Sequence, residues 1–242
     1  MRPRSILGID TATAVAAVGV VSEGRIAAEV FEFSGEGHAP RLADLARRAL
    51  DDAGMSLAEL DSIAVSIGPG SFTGIRVGLG FAKGIAYSAG LPLVGVGTLE
   101  ALARVAPGGF PRIAAVTDAR KGEVYLGSFR RRPGGVERVG EDAVLTPEAA
   151  AELIRSSFAA ERGVVVGDAA ERYPELFRPL AASAIELVSF REVHPRGSMV
   201  ADLGAATLER GGESRAERVS PRYLRPSAAE VNLERSRAEV AR

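Results

Sequence analysis

Short apolar runs alternate with longer segments of helical periodicity along the first half of this chain. A short apolar run bounded by turn residues predicts a buried strand, and apolar positions three or four apart predict an amphipathic helix. Predicted strands lie at residues 6–10, 15–21, 26–33, 63–67 and 93–96, and predicted helices lie at 40–53, 72–89 and 98–105. The predicted element order is therefore β-β-β-α-β-α-β-α.

The second half of the chain repeats this order. Predicted strands lie at residues 113–117, 124–129, 136–139, 164–166 and 185–188, and helical segments at 146–154, 169–180 and 198–210. In each half the first strand ends in Asp (Asp10, Asp118) and the fourth ends in Gly (Gly68, Gly167). A three-strand meander continued by two crossovers gives a mixed sheet with helices on its faces. The chain is thus predicted to be an α/β protein built by duplication.

Two βββαβαβα units side by side resemble the actin-like ATPase (ribonuclease H-like) fold, in which a cleft separates the halves. We expect a first unit at residues 1–106, a second at 107–211 and a charged C-terminal tail at 212–242. This resemblance concerns architecture, and architecture alone does not fix function.

Composition narrows the class of protein. The chain has 242 residues, a net charge of −1 and no Cys, which disfavours a surface that is basic throughout and excludes thiol chemistry. No apolar run reaches the length of a membrane span and no signal peptide is visible, so we expect a cytoplasmic protein with no membrane contact. The two His residues, His38 and His194, are far apart, and we expect no metal site.

The stretch from residue 66 to 84 is unusually rich in glycine for a helix. Each helical Gly costs about 1 kcal/mol against Ala, so closely packed backbone should offset that cost. Gly80, Gly84 and Ser88 form one strip of small residues, while Gly74 and Gly78 form another. Two strips on different faces indicate that the helix packs closely onto its own sheet and also receives a second helix.

Turns that follow strands could form a vestigial phosphate or nucleotide site. Small hydroxyl residues and glycine turns offer N–H and O–H donors to an anion, although the same residues also simply satisfy tight turns. The Gly68-Pro69-Gly70 turn completes neither a Walker A loop nor a dinucleotide fingerprint. The candidate residues are Asp10, Thr11, Thr13, Gly68, Gly70, Ser71, Asp118 and Arg120.

Three motifs in this order are specific to one family. They are Ile9-Asp10-Thr11-Ala12-Thr13, then Gly68-Pro69-Gly70-Ser71-Phe72-Thr73-Gly74-Ile75-Arg76 followed by Gly80-x-x-Lys83-Gly84, then Thr117-Asp118-Ala119-Arg120-Lys121-Gly122-Glu123-Val124-Tyr125. On these motifs the chain resembles the bacterial TsaB (YeaZ) family. The resemblance is strong over residues 5–130 and weaker beyond.

The resemblance implies a non-catalytic subunit of the complex that forms threonylcarbamoyladenosine in tRNA. Such a subunit binds and stabilises the catalytic subunit TsaD, forms a homodimer when alone, and meets a small ATPase, TsaE, in the larger complex. It implies no cofactor on this chain, ATP and Mg²⁺ only at the level of the complex, and tRNA contact only through the complex. The paired His ligands of TsaD, four residues apart, are absent here.

The resemblance also implies that helices 40–53 and 72–89 form the partner interface. The residues expected there are Leu42, Leu45, Arg76, Gly80, Lys83, Gly84, Tyr87 and Ser88. The alternative is a stand-alone actin-like ATPase or small-molecule kinase that uses Asp10 and Asp118 around Mg²⁺–ATP.

Overall fold

A computed structural model describes residues 5–33 and 42–225 as two mixed sheets with helices on their faces. The first sheet has the strand order β3-β2-β1-β4-β5, with β1 antiparallel to β2 and parallel to β4. Its elements are β1 (Ser5–Asp10), β2 (Val15–Ser22), β3 (Arg25–Phe33), α1 (Leu42–Ala53), β4 (Ser62–Gly68), α2 (Phe72–Ala89), β5 (Leu93–Gly97) and α3 (Thr98–Arg104). His38 and the predicted start of the first helix at Pro40 lie outside the described residues.

The second sheet repeats this topology with the order β11-β10-β6-β7-β8, and the short strand β9 also pairs with β7. Its elements are β6 (Arg112–Arg120), β7 (Glu123–Arg132), β8 (Gly135–Arg138), β9 (Ala143–Leu145), α4 (Pro147–Ser157), β10 (Gly163–Val166), α5 (Ala169–Arg172), α6 (Pro174–Phe177), β11 (Ile185–Leu187) and α7 (Gly197–Glu209). The predicted duplication is confirmed, and β9 is an addition that the sequence pattern did not indicate.

All six residues of strand β1 are buried, because elements pack on both faces of the strand. Leu7 and Ile9 face the core formed with α1 and α2, whereas Ile6 faces α7. In the second sheet, residues of β6, β7 and β10 form a core with α4, α5 and α6. Within the described part of the chain, no helix is both long enough and apolar enough to span a membrane.

Helix α7 packs on the first sheet although it follows the second sheet in sequence. It contacts β1, β2 and β4, and glycines let it approach closely: a Cβ added at Gly8 would lie 2.0 Å from the Gly197 carbonyl oxygen. The packing therefore differs from the predicted unit 107–211, which grouped this helix with the second sheet. We call β1–β5 with α1, α2 and α7 the first unit, and β6–β11 with α4–α6 the second unit; α3 packs on both.

The N-terminus of α7 is capped by a residue from the first unit. The helix predicted at residues 198–210 begins at Gly197, and no side chain next to its N-terminus in sequence caps it. The Glu29 carboxylate instead accepts the backbone N–H groups of Gly197 and Ser198, each at 2.9 Å. A carboxylate on the first turn of a helix is favourable because free N–H groups and the helix dipole meet there.

The segment after α7 runs along the first unit. The Leu93 N–H donates to the Ser214 carbonyl (2.9 Å), Val219 is buried in the first core, and the Arg222 N–H donates to the Ile67 carbonyl (2.7 Å). The predicted tail at 212–242 thus starts as a packed segment up to Arg225, and its remainder lies outside the described residues.

Candidate functional site

Residues at both ends of α2 determine where the helix begins and where it ends. The Ser71 hydroxyl accepts the Gly74 N–H (3.2 Å), as expected for a cap, and the helix ends at Gly90 in the left-handed region (φ 65°). Ile75 and Leu79 are among the residues that face the core. Glycines occupy two of the remaining faces of the helix.

The glycines at the start of α2 lie against the first hairpin, between β1 and β2. A Cβ at Gly74 would lie 2.0 Å from the Thr11 carbonyl oxygen, and one at Gly70 would lie 2.2 Å from the Ala12 carbonyl oxygen. At Gly78 a Cβ would lie 2.2 Å from the Thr11 hydroxyl. These positions have no room for a side chain, so the Gly74 and Gly78 strip serves packing within the chain.

The second strip of small residues is not covered by any other described part of the chain. No described atom outside the helix's own neighbourhood comes within 4 Å of a Cβ added at Gly80 or Gly84. Ser88 is exposed one turn further on, and the neighbouring Tyr87 is 83% exposed. Lys83 is half-buried beside them. We call Gly80, Gly84, Tyr87 and Ser88 the open face of α2.

Two residues expected at the interface are core residues instead. Leu42 is 4% exposed and Leu45 is 1% exposed, because α1 turns this side toward β2 and β3. Leu42 and Leu45 are therefore core residues and not interface residues, since they present almost no surface to another chain. The exposed side of α1 in the described residues includes Arg47 and Asp51, which form an ion pair at 2.9 Å.

Arg76 contacts the C-terminal segment of its own chain. Its guanidinium carbon lies 3.7 Å from the centroid of the Phe72 ring, and its Nε donates to the Tyr223 hydroxyl at 2.9 Å. The Tyr223 ring stacks on Phe72 with centroids 4.9 Å apart. Arg76 is exposed, yet its orientation is fixed by these two aromatic residues. The sequence pattern did not reveal this contact because 147 residues separate its partners.

The first hairpin brings Asp10, Thr11, Gly70 and Ser71 together as expected, but their polar groups bind one another. The Ser66 hydroxyl and the Ala12 N–H donate to the Asp10 carboxylate, and the Ser71 N–H donates to the Ala12 carbonyl at 2.7 Å. Burial raises the pKa of Asp10 to about 6, although the Ser66 and Ala12 hydrogen bonds oppose the rise.

Two further residues of the candidate phosphate site also have partners inside the chain. The Thr13 hydroxyl accepts the Val15 N–H at 3.3 Å, a local turn contact. Gly68 has a φ of 112°, and a Cβ there would lie 2.7 Å from the Arg222 carbonyl oxygen. Gly68 therefore shapes the entry to α2 and leaves space for the C-terminal segment.

The second hairpin, between β6 and β7, places Asp118 among arginines. The Arg120 N–H donates to the Asp118 carboxylate at 3.0 Å, and the Nε atoms of Arg172 and Arg120 lie 3.3 and 3.5 Å from it. The Asp118 N–H donates to the Asp168 carboxylate at 3.0 Å, and burial raises the pKa of Asp168. Asp168 and Arg172 were absent from the predicted site. The signal for Asp168 was its place after the strand-ending Gly167.

Metal-ligating side chains are not clustered in residues 5–33 and 42–225, where no three His, Asp or Glu residues are placed to share an ion. His194 is buried beside Phe31, with ring centroids 4.4 Å apart, and its Nδ1 lies 3.0 Å from the Pro195 carbonyl oxygen. Its role is packing at the edge of the first sheet.

Two sheets of the same order, each with an Asp at or near the end of its first strand and a hairpin after it, define a duplicated actin-like ATPase fold. Component A of the (R)-2-hydroxyglutaryl-CoA dehydratase of Acidaminococcus fermentans shares this fold at 11% identity, with a TM-score of 0.50 over 86% of this chain and 98% of that chain. A structure of YeaZ from Pseudomonas aeruginosa is 31% identical, with a TM-score of 0.78 over 91% of this chain and 100% of that one.

Sequence comparison agrees with the structural one. The Escherichia coli tRNA threonylcarbamoyladenosine biosynthesis protein TsaB is 34% identical over 227 residues, which is 93% of this chain and 96% of the relative. A family model described as TsaD, tRNA N6-adenosine threonylcarbamoyltransferase, matches residues 30–232. The chain belongs to the TsaB (YeaZ) family, as the three sequence motifs predicted.

Proposed function

We propose that this chain acts in tRNA threonylcarbamoyladenosine biosynthesis as a non-catalytic subunit that binds and stabilises a TsaD-like catalytic subunit. The proposal is supported by the name of the E. coli relative and by the match to the family model described as TsaD. The proposed compartment is the cytoplasm.

The observation that carries the proposal is the contrast between the two strips of small residues on α2. Gly74 lies against the Thr11 carbonyl, whereas a Cβ at Gly80 or Gly84 would meet no described atom. Each of these open glycines costs about 1 kcal/mol of helix stability, which no described contact within the chain offsets. A helix of a partner could approach this strip closely, as helices do at small residues.

The residues next to Gly80 and Gly84 are also suited to binding a partner. Tyr87 is the most exposed of the large hydrophobic residues in the described chain, at 83%. The few residues that supply most of the binding energy in protein interfaces are enriched in Tyr, Trp and Arg. Lys83 adds a positive charge at the edge of the open face.

The non-catalytic part of the proposal rests on the two hairpins. The Thr11 hydroxyl donates to the Gly74 carbonyl (2.7 Å), and Asp10 is buried with Ser66. At the second hairpin Asp118 is held by Arg120 and Arg172. These groups are occupied by one another, so they are poorly arranged to receive Mg²⁺–ATP, and we propose that ATP and Mg²⁺ act only in the larger complex.

The remaining partners belong to the same proposal. In the absence of a TsaD-like subunit, the open face of α2 would pair with a second copy of this chain. A TsaE-like ATPase would join the heterodimer, and tRNA would be contacted through the complex.

Co-purification from the native host tests the proposal. Tagged full-length chain should bring down a TsaD-like protein in equal amount, and the pair should elute together at the mass of a heterodimer. Recovery of this chain alone, in cells that contain the TsaD-like protein, would contradict it.

A further inference from the structure

The segment Arg222 to Arg225, which we call the latch, contacts both units of the fold with neighbouring residues. We propose that the latch fixes the angle between the two units. This inference concerns the chain itself and does not depend on the proposed partner.

Contacts with the first unit are made by the latch backbone and by Tyr223. The Arg222 N–H donates to the Ile67 carbonyl (2.7 Å), next to the turn that opens α2. A Cβ added at Gly68 would lie only 2.7 Å from the Arg222 carbonyl oxygen, so the latch packs closely on that turn. Tyr223 stacks on Phe72 and accepts a hydrogen bond from Arg76. The latch is therefore anchored to β4 and α2.

Contacts with the second unit are made by the side chains on either side of Tyr223. The Arg222 guanidinium donates to the Asp142 carboxylate at 2.9 Å and lies 3.6 Å from Glu141. Leu224 packs against the core cluster formed by residues of the second unit, such as Tyr125 and Phe129, together with residues of α3. Arg225 forms an ion pair with Glu123 on β7 at 2.5 Å. Adjacent residues thus hold opposite sides of the boundary between the units.

Asp142 gives the latch its strongest connection. Its side chain is fully buried, and both Arg138 and Arg222 donate to it. Arg138 also lies 3.7 Å from Glu100 on α3, the helix shared by both units. Removal of one partner of a buried charge leaves that charge undercompensated, which is costly. Movement of the units that pulled Arg222 away from Asp142 would therefore be opposed.

Helix α3 is another structure that could fix the angle, because it packs on both sheets. The two explanations differ in what happens when the latch is removed. If α3 alone fixes the angle, the distance between the two units will stay the same when the latch contacts are removed.

Spin-label distance measurements on the full chain test the inference. The chain has no Cys, so Asp52→Cys on α1 and Ser156→Cys on α4 would carry the only labels. Labelled chain is diluted in unlabelled chain to remove distances between copies. We expect one narrow distance with the native latch and a broadened or shifted distribution in Arg222→Ala/Tyr223→Ala/Arg225→Ala. Arg215→Ala/Arg218→Ala, whose ion pairs go to Glu213 in the same segment, should leave it unchanged.

An unchanged distribution in the folded triple variant would overturn the inference in favour of α3. If the triple variant does not fold, Tyr223→Ala/Arg225→Ala decides, because it keeps Arg222 on Asp142. This milder variant should still broaden the distribution, and a distribution identical to that of the native latch would overturn the inference.

Discussion

The Thr11 hydroxyl donates a hydrogen bond to the Gly74 carbonyl over 2.7 Å, although 63 residues separate them. The Thr11 carbonyl oxygen in turn lies where a Cβ of Gly74 would be. The first hairpin is therefore locked to the first turn of α2 by contacts that only glycine permits. This lock explains half of the glycine content of the helix and leaves the other half, at Gly80 and Gly84, for another role.

Substitution of the two kinds of glycine should have opposite effects on stability. Gly74→Ala would drive a methyl group into the Thr11 carbonyl and should lower the free energy of unfolding by about 1–3 kcal/mol. Gly80→Ala meets no described atom and should raise it by about 1 kcal/mol, because Ala favours the helix. Urea denaturation of the isolated chain, at concentrations low enough to keep it monomeric, measures both. Equal effects of the two substitutions would contradict the assignment of the strips.

Glu29 should stabilise the chain through α7. Glu29→Ala removes the carboxylate that accepts the Gly197 and Ser198 N–H groups, and should cost about 1–2 kcal/mol in the free energy of unfolding. Glu32→Ala, an exposed neighbour on the same strand, serves as the control and should be within about 0.5 kcal/mol of wild type. A Glu29→Ala variant as stable as the control would show that the cap is unimportant.

Asp10 should make stability depend on pH in the acid range. Burial raises the pKa of Asp10 from 3.8 to about 6, so the folded chain holds this proton more tightly than the unfolded chain does. The stabilisation from protonated Asp10 is complete below about pH 4 and is lost as pH rises through 6. Its loss amounts to about 3 kcal/mol. Asp10→Asn cannot titrate, so the wild-type free energy of unfolding minus that of the variant should fall between pH 4 and 6 and level off above pH 7. A difference that is constant with pH would contradict the raised pKa.

The isolated chain should not turn over ATP. Asp10 and Thr11 are hydrogen-bonded within the chain, which is the opposite of an open phosphate site. A sensitive phosphate-release assay with Mg²⁺ should give the same signal for wild type, Asp10→Ala and the surface control Asp52→Ala. Turnover that survives in Asp52→Ala and disappears in Asp10→Ala would support the alternative, an actin-like ATPase or small-molecule kinase.

Much of the fold could be predicted because its signals are local. Apolar runs and Gly-rich turns gave the βββαβαβα order, and the Ser71 hydroxyl that caps α2 accepts the N–H of Gly74, only three residues away. The two glycine strips could be separated by helical spacing, but spacing alone could not tell which one faces the chain's own backbone. That distinction depends on where the first hairpin lies in space.

Contacts between residues far apart in sequence account for the places where the structure differs from the sequence predictions. Helix α7 follows the second sheet in sequence yet packs on the first, because Gly8 and Gly19 leave room for its first turn. Leu42 and Leu45 have the periodicity of a helix face, which predicts burial without saying whether the chain or a partner covers it. In the structure the chain itself covers them.

Affinity for the TsaD-like subunit of the same organism, measured by titration calorimetry with Gly84→Leu, tests the central claim most directly. A Cβ at residue 84 would meet no described atom outside the helix's own neighbourhood, and a leucine there would occupy the open strip, so the variant should stay folded and lose at least about tenfold in affinity, which corresponds to 1.4 kcal/mol. Gly108→Leu, at an equally open glycine away from α2, should bind like wild type. Wild-type affinity in the folded Gly84→Leu variant would contradict the open face of α2 as the partner surface.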